Sequence, residues 1–329
     1  ENIHQVLLLS LVDLIIGKSE YSPNWSCKLK KNNSFLKSYK NLRVLITGTT
    51  GFKGAWLAFW LSKIGAKVVG VALKPEKSSV LFKSLELNKK IHQYYFDITN
   101  FRKLNEIIKK KKPDIIFHLA AQSIVSNSFK DPLNTFQTNI LGSANVLESF
   151  RINKIPNLVY ITSDKCYLNL DKKKDYKETD ILGGIDNYSS SKASAEIIFS
   201  SYFNSYFTEE KNLSLVSARA GNVVGGGDMK ANRIVPDIVR SLKNKKGLIL
   251  RNPKATRPWQ HVLEPLSGYL TIANELMKSN KLNGESFNFG PNDDYNISVI
   301  KILNDISDFW DLKHEPSFIS KKTYDFNES

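Results

Sequence analysis

Residues 43–54 read RVLITGTTGFKG, in which a short apolar run leads into three spaced glycines and then into a helical pattern. In such a strand–turn–helix unit, Gly48 permits a tight turn, Gly51 lets backbone N–H groups approach a phosphate, and Gly54 lets helix and strand pack closely. The helix N-terminus adds a dipole that favours negative charge. The stretch therefore predicts the pyrophosphate-binding turn for a nicotinamide dinucleotide. The predicted cofactor contacts of the turn are Gly48, Thr50, Gly51, Phe52, Lys53 and Gly54.

From Asn41 onwards, apolar runs alternate with helical patterns. Strands are predicted at residues 43–47, 67–71, 93–96, 115–119, 158–162 and 213–219, and helices at residues 52–64, 101–111, 133–151 and 188–203. Such alternation predicts an α/β fold of the Rossmann type, a doubly wound parallel sheet with right-handed crossovers. Because ligands of these sheets bind at the carboxyl ends of the strands, we expect the chemistry there. The strand ends concerned are Thr47, Val71, Phe96, Leu119, Thr162 and Arg219.

This pattern divides the chain into three predicted segments. Residues 1–40 are expected to form an N-terminal extension and linker, and residues 41–220 an NAD(P)-binding Rossmann domain. Residues 221–329, where the alternation becomes looser, are expected to form a smaller substrate-binding lobe with some returning Rossmann elements.

The extension contains an apolar run, VLLLSLVDLIIG, at residues 6–17. The run is too short to span a bilayer, and it lacks the basic region that precedes the apolar part of a signal peptide. Asp13 also interrupts it. One amphipathic helix, or the tail of an upstream domain, is therefore favoured over a membrane anchor.

The composition, 41% hydrophobic and 24% charged, is that of an ordinary globular chain. The formal charge of +15 includes lysine runs at residues 109–112 and 172–174, but no nucleic-acid-binding motif accompanies them. We therefore predict attraction for a small phosphate-bearing substrate, and binding neither to nucleic acid nor to a membrane. The two cysteines, Cys27 and Cys166, form no CxxC pair, which indicates a reducing, cytoplasmic compartment. The five histidines have no metal-ligand spacing, so no metal is predicted.

The adenosine side of the predicted dinucleotide site departs from the usual pattern. An Asp or Glu about 20 residues after the glycines usually binds the ribose hydroxyls and favours NAD. Lys74 stands there, with Glu76 close by as a substitute. A lysine can instead meet a ribose 2′-phosphate, so NADP stays open beside NAD. Asp97 and Ile98 follow the third predicted strand and are expected to reach the adenine, although Asp97 also suits a helix N-terminal turn.

Two groups of residues indicate catalysis. Tyr188 and Lys192 form a YxxxK pattern at a helix start, and four-residue spacing places both side chains on one helical face. A tyrosine with an ordinary pKa of ~10 is a poor base at neutral pH, and a neighbouring lysine cation favours its phenolate. Ser163, Asp164 and Lys165 follow the fifth predicted strand and are expected to face this pair.

Several motifs together resemble the extended short-chain dehydrogenase/reductase family. They are TGTTGFKG (residues 47–54), LAAQ (119–122), TSDKCY (162–167), YSSSK (188–192), ARAGNVVGGGD (218–228) and RNPKATRPWQHVLEP (251–265). The last two, with TSDKCY, are similar to CDP-glucose 4,6-dehydratases rather than to the broader sugar epimerases. The resemblance runs from about Phe35 to the C-terminus.

The resemblance implies an NAD-dependent lyase that converts CDP-glucose to its 4-keto-6-deoxy sugar for deoxysugar and O-antigen-type polysaccharide synthesis. Tyr188 would deprotonate the C4 hydroxyl, Ser163 would hydrogen-bond its oxygen, and Asp164 would protonate the departing C6 hydroxyl. Lys165 would act either as the C5 base or as an electrostatic stabiliser. Lys192 would also hold the nicotinamide ribose. Further implied cofactor contacts are Leu119, Ala120, Ala121, Gln122 and Asn139.

The resemblance also implies substrate contacts and an assembly, a homodimer or homotetramer. The implied substrate-binding residues are Asn222, Arg233, Arg251, Arg257 and His261. Two departures stand out: Met229 replaces a tryptophan that usually follows GGGD, and the family pattern predicts a further strand and helices beyond Ser329. The alternatives are an epimerase or dehydratase acting on a UDP-, GDP- or dTDP-sugar, and a non-catalytic nucleotide sensor.

Overall fold

The predicted alternation of strands and helices forms a seven-stranded parallel sheet. The computed structural model describes residues 36–77, 79–170, 175–244, 247–250, 252–291, 296–309 and 318–320. Its strands are β1 (Arg43–Thr47), β2 (Lys67–Ala72), β3 (His92–Tyr95), β4 (Ile115–His118), β5 (Asn157–Ile161), β6 (Ser214–Ala220), β7 (Val223–Val224), β8 (Leu248–Leu250), β9 (Thr256–Pro258), β10 (Gln260–His261), β11 (Ser286–Phe289), β12 (Asn296–Ser298) and β13 (Phe318–Ser320).

The large sheet has the strand order β11-β6-β5-β4-β1-β2-β3, which places β1 between β4 and β2. The order reverses at β1, and the carboxyl ends of β1 and β4 therefore border the crevice in which such sheets bind ligands. The remaining strands form three small pairs, β7 with β10, β8 with β13, and β9 with β12. The doubly wound fold predicted from the sequence is confirmed.

The helices cover both faces of the sheet. They are α1 (Phe52–Lys63), α2 (Val80–Ser84), α3 (Leu87–Lys90), α4 (Phe101–Lys111), α5 (Val125–Lys130), α6 (Pro132–Phe136), α7 (Gly142–Ile152), α8 (Asn187–Tyr206), α9 (Ile234–Asn244), α10 (Leu263–Lys278) and α11 (Val299–Phe309), with a π-helical segment at Gln137–Leu141 and single 3₁₀ turns at Asp164–Cys166 and Asn280–Leu282. Most predicted boundaries agree with these within one or two residues. The single helix predicted at residues 133–151 is instead α6, the π-helical segment and α7 in succession.

Side-chain alternation along β1 explains the two layers of the core. Val44 and Ile46 point to one face, where they pack with α1 and α10, and Leu45 points to the other, where it packs with α7 and α8. A third cluster packs α9 against α11 and β8 through Ile238, Leu250, Ile302 and other apolar side chains. The first two clusters therefore bury both faces of the large sheet beneath the ends of its strands.

Several predictions fall outside the described residues, namely the apolar run at residues 6–17, the lysine run at 172–174 and the substrate contact Arg251. No helix among the described residues is long and apolar enough to cross a membrane. Within the same residues, no group of three or more His, Cys, Asp and Glu side chains is arranged to hold a metal ion.

Candidate active site

One cleft of about 1050 Å³ runs along the carboxyl ends of β1, β2, β4, β5 and β6. It reaches from the glycine turn to the small sheets built by residues after 221. The predicted site residues that line it are Gly48, Thr50, Gly51, Phe52, Lys53, Gly54, Asp97, Ile98, Leu119, Ala120, Ala121, Ser163, Asp164, Lys165, Tyr188, Lys192, Asn222, Arg233 and Arg257. The fold thus collects in one place residues that are far apart in the sequence.

The glycine turn is shaped as a cradle that side chains would fill. Gly48 has φ +82°, and a Cβ there would lie 2.8 Å from the backbone nitrogen of Ala120. A Cβ on Gly54 would lie 2.1 Å from the carbonyl oxygen of Gly48. Gly51 is the N-cap of α1, and no side chain caps this helix. The first N–H groups of α1 therefore face the cleft without a side-chain partner, which fits a pyrophosphate.

A buried polar chain holds the turn against the end of β4. The hydroxyl of Thr47 accepts hydrogen bonds from the backbone N–H groups of Leu119 and Ala120, both at 3.1 Å, and lies 2.8 Å from Nδ1 of His118. Nε2 of His118 lies 2.9 Å from the hydroxyl of Ser143. Burial, and then the charge of Lys192, lower the pKa of His118 to about 3. A neutral His118 is therefore a structural link behind the cofactor side, which the sequence analysis did not identify.

The adenosine end of the cleft contains both charge signs. Lys74 and Glu76 line it after β2, and the Glu76 carboxylate lies 3.9 Å from Nζ of Lys230. Asp97 lines the same end, and its Oδ1 accepts the backbone N–H of Thr99 at 2.8 Å. Asp97 thus both orders the turn before α4 and faces the cleft. The two roles considered from the sequence, a helix N-terminal turn and a contact with the adenine, are therefore compatible.

The loop that follows β5 carries three of the predicted catalytic residues, and it forms one 3₁₀ turn. The hydroxyl of Ser163 donates to Oδ1 of Asp164 at 2.8 Å and accepts the backbone N–H of Lys165 at 3.3 Å. Asp164 Oδ2 lies close to the backbone of Gly221 at the end of β6, where a Cβ would be 3.4 Å away. The loop therefore presents a hydroxyl, a carboxylate and an ammonium side by side to the cleft.

The YxxxK pair lies on the first turns of α8, at the opposite wall. Asp186 caps this helix, because its Oδ1 accepts the backbone N–H groups of Tyr188 at 2.8 Å and Ser189 at 2.9 Å. The sequence analysis missed Asp186, although an aspartate just before a helix is a capping signal. The cap fixes the start of the helix and with it the position of Tyr188.

Burial is the largest influence on the pKa values of the titratable side chains in this part of the cleft. Burial, and then the carboxylate of Asp164, raise the pKa of Tyr188 to about 12. Burial lowers the pKa of Lys192 to about 8, against the opposing charge of Glu196. Burial and the nearby cations Lys192 and Arg233 also lower the pKa of Lys53 to about 8. Desolvation therefore moves the pKa of Tyr188 in the opposite direction to the one expected from a neighbouring lysine cation.

The wall towards the C-terminal region supplies guanidinium groups. Nη1 of Arg233 donates to Oδ2 of Asp228 at 2.8 Å, and its Nη2 donates to the hydroxyl of Ser123 across the cleft at 3.1 Å. Nη1 of Arg257 donates to the adjacent backbone carbonyl of Thr256 at 2.9 Å. Guanidinium groups in such positions suit a diphosphate.

The model of a family described as GDP-mannose 4,6 dehydratase matches residues 45–313. The CDP-glucose 4,6-dehydratase of Salmonella typhimurium is 43% identical over 277 residues, which cover 83% of this chain and 77% of that protein. The chain belongs to this nucleotide-sugar dehydratase family. Its place in the extended short-chain dehydrogenase/reductases is thereby confirmed, and so is the resemblance to the CDP-glucose enzymes.

Solved structures show the same fold. An epimerase from Methanothermobacter thermautotrophicus has a TM-score of 0.76 and 25% identity, with 89% of this chain and 84% of that chain covered. A dTDP-glucose 4,6-dehydratase from Bacillus anthracis, solved in complex with NAD, has a TM-score of 0.71 and 23% identity, with 85% of each chain covered. The latter likeness shows the shared fold.

Three predicted contacts of this dehydratase lie behind the lining of the cleft. Asn139 accepts the backbone N–H of Gln122 at 2.8 Å and donates to the hydroxyl of Ser191 at 2.9 Å. The amide of Gln122 donates to Thr135 at 3.0 Å. These side chains lie outside the lining because they connect the loop after β4 to the helices behind it.

His261 ends β10 and also lies outside the lining, whereas its neighbour Trp259 lines the cleft and packs in the third core cluster.

Proposed function

We propose that the chain is a CDP-glucose 4,6-dehydratase that keeps NAD bound through the whole reaction. The observation that carries the proposal is the meeting of Ser163, Asp164 and Lys165 with Tyr188 and Lys192 in one cleft that also contains the glycine cradle. The identity of 43% to the Salmonella typhimurium enzyme supports CDP-glucose as the sugar nucleotide.

The glycine turn would hold the dinucleotide. Gly48, Gly51 and Gly54 leave room for the pyrophosphate, and the N-terminus of α1 supplies N–H donors. When bound, NAD would accept a hydride from C4 of the sugar and return it to C6. The remaining proposed cofactor contacts are Thr50, Phe52, Lys53, Asp97, Ile98, Leu119, Ala120, Ala121, Tyr188 and Lys192.

Tyr188 would take the proton of the C4 hydroxyl while Ser163 holds the C4 oxygen. In the ligand-free chain the phenol is neutral, because burial raises its pKa to about 12. A cationic dinucleotide beside it favours the phenolate, as does Lys192 in its charged form. Tyr188 would therefore become an effective base only in the loaded site.

Asp164 would protonate the C6 hydroxyl as it leaves, while the C5 proton is removed. Its Oδ1 accepts from Ser163 at 2.8 Å and both residues line the cleft, so a sugar bound there would meet both groups. Lys165 would take the C5 proton as a neutral amine, or stabilise the enolate as a cation. The products of the elimination are water and an enone whose C6 is the hydride acceptor.

Cations at the far end of the cleft would bind the CDP diphosphate. Arg233 and Arg257 line that end, beside Asn222 at the end of β6. His261 and Arg251 stay predicted contacts of the same group. The division into segments 1–40, 41–220 and 221–329 stays our proposal for the domains, with β6 as the last strand before the substrate side.

The decisive experiment incubates the full chain with CDP-glucose and NAD and measures the sugar nucleotide by mass spectrometry. We expect a product lighter by one water, with no net consumption of NAD. UDP-, dTDP- and GDP-sugars serve as comparisons. Turnover of one of these but not of CDP-glucose would assign another substrate. Dinucleotide binding without turnover of any sugar would indicate a nucleotide sensor.

Tyr188→Phe tests the mechanism separately from the substrate. The variant loses the acid–base hydroxyl but keeps the ring, so we expect kcat to fall by about 10²- to 10⁴-fold with dinucleotide affinity retained. Full activity of this variant would rule out the proposed role of Tyr188.

We also propose a homodimer or homotetramer that works in the reducing cytoplasm. Leu133, Leu141 and Ile197 are 71%, 52% and 56% exposed on helical segments that contact one another, which favours contact with a second copy. Light scattering of the full chain tests the assembly, and Ile197→Glu is expected to weaken it. The low number of cysteines supports the compartment.

A further inference from the structure

A buried ion pair that the proposed mechanism does not use lies beneath the catalytic residues. Glu196 follows Lys192 by one helical turn on α8, and Arg219 lies near the end of β6. Their side chains are 1% and 5% exposed, and Nη2 of Arg219 lies 2.7 Å from Oε2 of Glu196. A carboxylate and a guanidinium removed from water in this way need further partners to offset the loss of hydration.

The further partners of Glu196 come from two neighbouring strands. The hydroxyl of Thr162 donates to Oε1 of Glu196, and the hydroxyl of Ser217 donates to Oε2 at 2.9 Å. Thr162 is the last residue before the loop that carries Ser163, Asp164 and Lys165. Glu196 therefore ties the helix of the YxxxK pair directly to the root of the catalytic loop.

Arg219 holds the other end of the same loop. Its Nη1 donates to the hydroxyl of Tyr167 at 2.8 Å, and the guanidinium carbon lies 5.2 Å from the centroid of that ring. The Tyr167 hydroxyl donates to Oδ1 of Asn288 at 2.7 Å. Thr162 and Tyr167 bracket the loop, so one ion pair fixes both of its ends to α8 and β6.

We propose that Glu196 and Arg219 form a positioning pair that sets the catalytic loop against Tyr188 and Lys192. The inference rests on the proposed function for its activity readout. A pair of this kind touches neither substrate nor cofactor. It keeps Ser163 and Asp164 within reach of the same sugar that Tyr188 deprotonates, and a small displacement between the two walls would slow the reaction strongly.

A double variant separates positioning from simple stabilisation. Apolar replacement of both members of a buried ion pair often leaves a protein folded, whereas removal of one member leaves an unpaired buried charge. We therefore choose Glu196→Leu with Arg219→Met, and Glu196→Gln as the conservative single variant. Glu148→Gln is the matched control, because Glu148 forms a 2.7 Å ion pair with Arg151 on α7, outside the lining of the cleft.

The expected result is a folded protein with slow chemistry. We expect the double variant to keep its thermal midpoint within a few degrees and its dinucleotide affinity within about threefold. Its kcat should fall on the order of 10²-fold, with KM changed much less. Glu148→Gln should keep wild-type kcat. A folded double variant with wild-type kcat would overturn the positioning role.

Cys166 gives a readout that needs no substrate. It is the last residue of the loop before Tyr167 and is buried in the wild type. In a Cys27→Ser background, a thiol reagent should label Cys166 at least about tenfold faster in the double variant, because the ends of the loop are released. Unchanged labelling of a folded double variant would contradict the proposal even if the chain turned over no sugar. Fast labelling with an inactive wild type would instead reject only the proposed function.

The pH profile adds a second test. Lys192 faces Glu196 on its own helix, Cys166 in the catalytic loop, Lys53 on α1 and His118 on β4, and Glu196 acts to raise its pKa. Glu196→Gln removes that charge, so Lys192 should lose its proton at lower pH. The basic limb of kcat, where the Lys192 cation is lost, should move to lower pH than in the wild type. An unmoved limb would argue against coupling between Glu196 and the catalytic lysine.

Discussion

One half of the cleft is lined mainly by backbone atoms and the other mainly by charged side chains. The half proposed to hold the cofactor, the cofactor half, is made mainly of backbone, in which glycines leave space and the N-terminus of α1 supplies donors. The half proposed to hold the sugar nucleotide, the substrate half, is made of charged side chains from the ends of β5 and β6, from α8 and from the segments after residue 221. A backbone cradle is sensitive to any added atom, whereas a set of charges responds to desolvation and to its neighbours.

The largest expected effect is a loss of dinucleotide binding, caused by one added methyl group in the cofactor half. Gly54→Ala would place a Cβ 2.1 Å from the carbonyl oxygen of Gly48, and both atoms belong to rigid segments. We expect loss of detectable dinucleotide binding by calorimetry, together with a loss of folding free energy of about 1–3 kcal/mol or more.

Gly51→Ala is the matched control within the same turn. Its Cβ would lie 3.3 Å from the oxygen of Gly48, a contact that small shifts relieve. We expect a much smaller loss of folding free energy than for Gly54→Ala, although the added methyl group still lies in the space proposed for the pyrophosphate. Equal losses in the two variants would mean that the close approach of helix and strand is not what the third glycine provides.

The second expected effect concerns the substrate half, where removal of a buried charge should raise the free energy of unfolding. Burial lowers the pKa of Lys192 from 10.5 to about 8 in the folded chain. Between pH 8 and 10.5 the unfolded chain therefore binds more protons at this residue, and stability rises with pH. Below pH 8 the folded chain carries a costly buried charge.

Lys192→Met removes that charge, so the ligand-free variant should be more stable than the wild type at pH 7 by about 1–3 kcal/mol. Its stability should also rise less between pH 8 and 10, below the range in which Tyr188 titrates. Urea unfolding at several pH values measures both. A variant less stable than the wild type at pH 7 would show that the cation is well paired in the folded chain.

The contrast between the two halves also explains which parts of the cleft could be predicted from the sequence. The cofactor half was predictable because its information is contiguous: one strand, three glycines and one helix start within residues 43–54. The strand ends were predicted well because β1, β4 and β5 are buried on both faces and read as apolar runs. The candidate catalytic residues were predicted from the motif that follows β5 and from the YxxxK pattern at the start of α8, and their roles stay predictions.

The features that escaped prediction depend on partners distant in the sequence. Glu196 and Arg219 are separated by 23 residues, and neither type of side chain indicates burial on its own. The π-helical segment was predicted as ordinary helix. A Cβ on Gly142 would lie 2.7 Å from Ile98, and Asn139 bonds to the loop after β4, so contacts from outside the helix shape this stretch.

The third effect compares two arginines of the substrate half. Arg257 bonds to its neighbouring carbonyl, whereas Arg233 already bonds to Asp228 and Ser123 and must leave them to meet a diphosphate. We expect Arg257→Ala to raise KM for CDP-glucose by about 10- to 100-fold, the worth of one charged hydrogen-bonded contact. Arg233→Ala should raise KM by less, about 3- to 10-fold. In the wild type, Arg233 must give up its bonds to Asp228 and Ser123 to bind the diphosphate, and that cost offsets part of the binding energy it contributes.

Steady-state kinetics with both variants measures this difference. The kcat should change little for Arg257→Ala because the diphosphate is remote from C4 to C6, whereas Arg233→Ala also removes a charge that lowers the pKa of Tyr188. A larger rise in KM for Arg233→Ala than for Arg257→Ala would mean that Asp228 and Ser123 orient Arg233 for the substrate rather than compete with it.

The smallest effect tests Lys74, the cation that lines the adenosine end of the cofactor half together with Glu76 and Asp97. Lys74 is exposed at the mouth of the cleft, where solvent screens its charge. If NAD is the cofactor, Lys74→Ala should change the dissociation constant for NAD by less than about threefold, since no phosphate lies there. NADP binding should weaken by about fivefold, because its 2′-phosphate loses an attractive charge. Fluorescence titration with both dinucleotides gives the ratio. A loss of NAD affinity as large as that of NADP would place Lys74 on a group that both dinucleotides share, and would move its role from the ribose to the pyrophosphate.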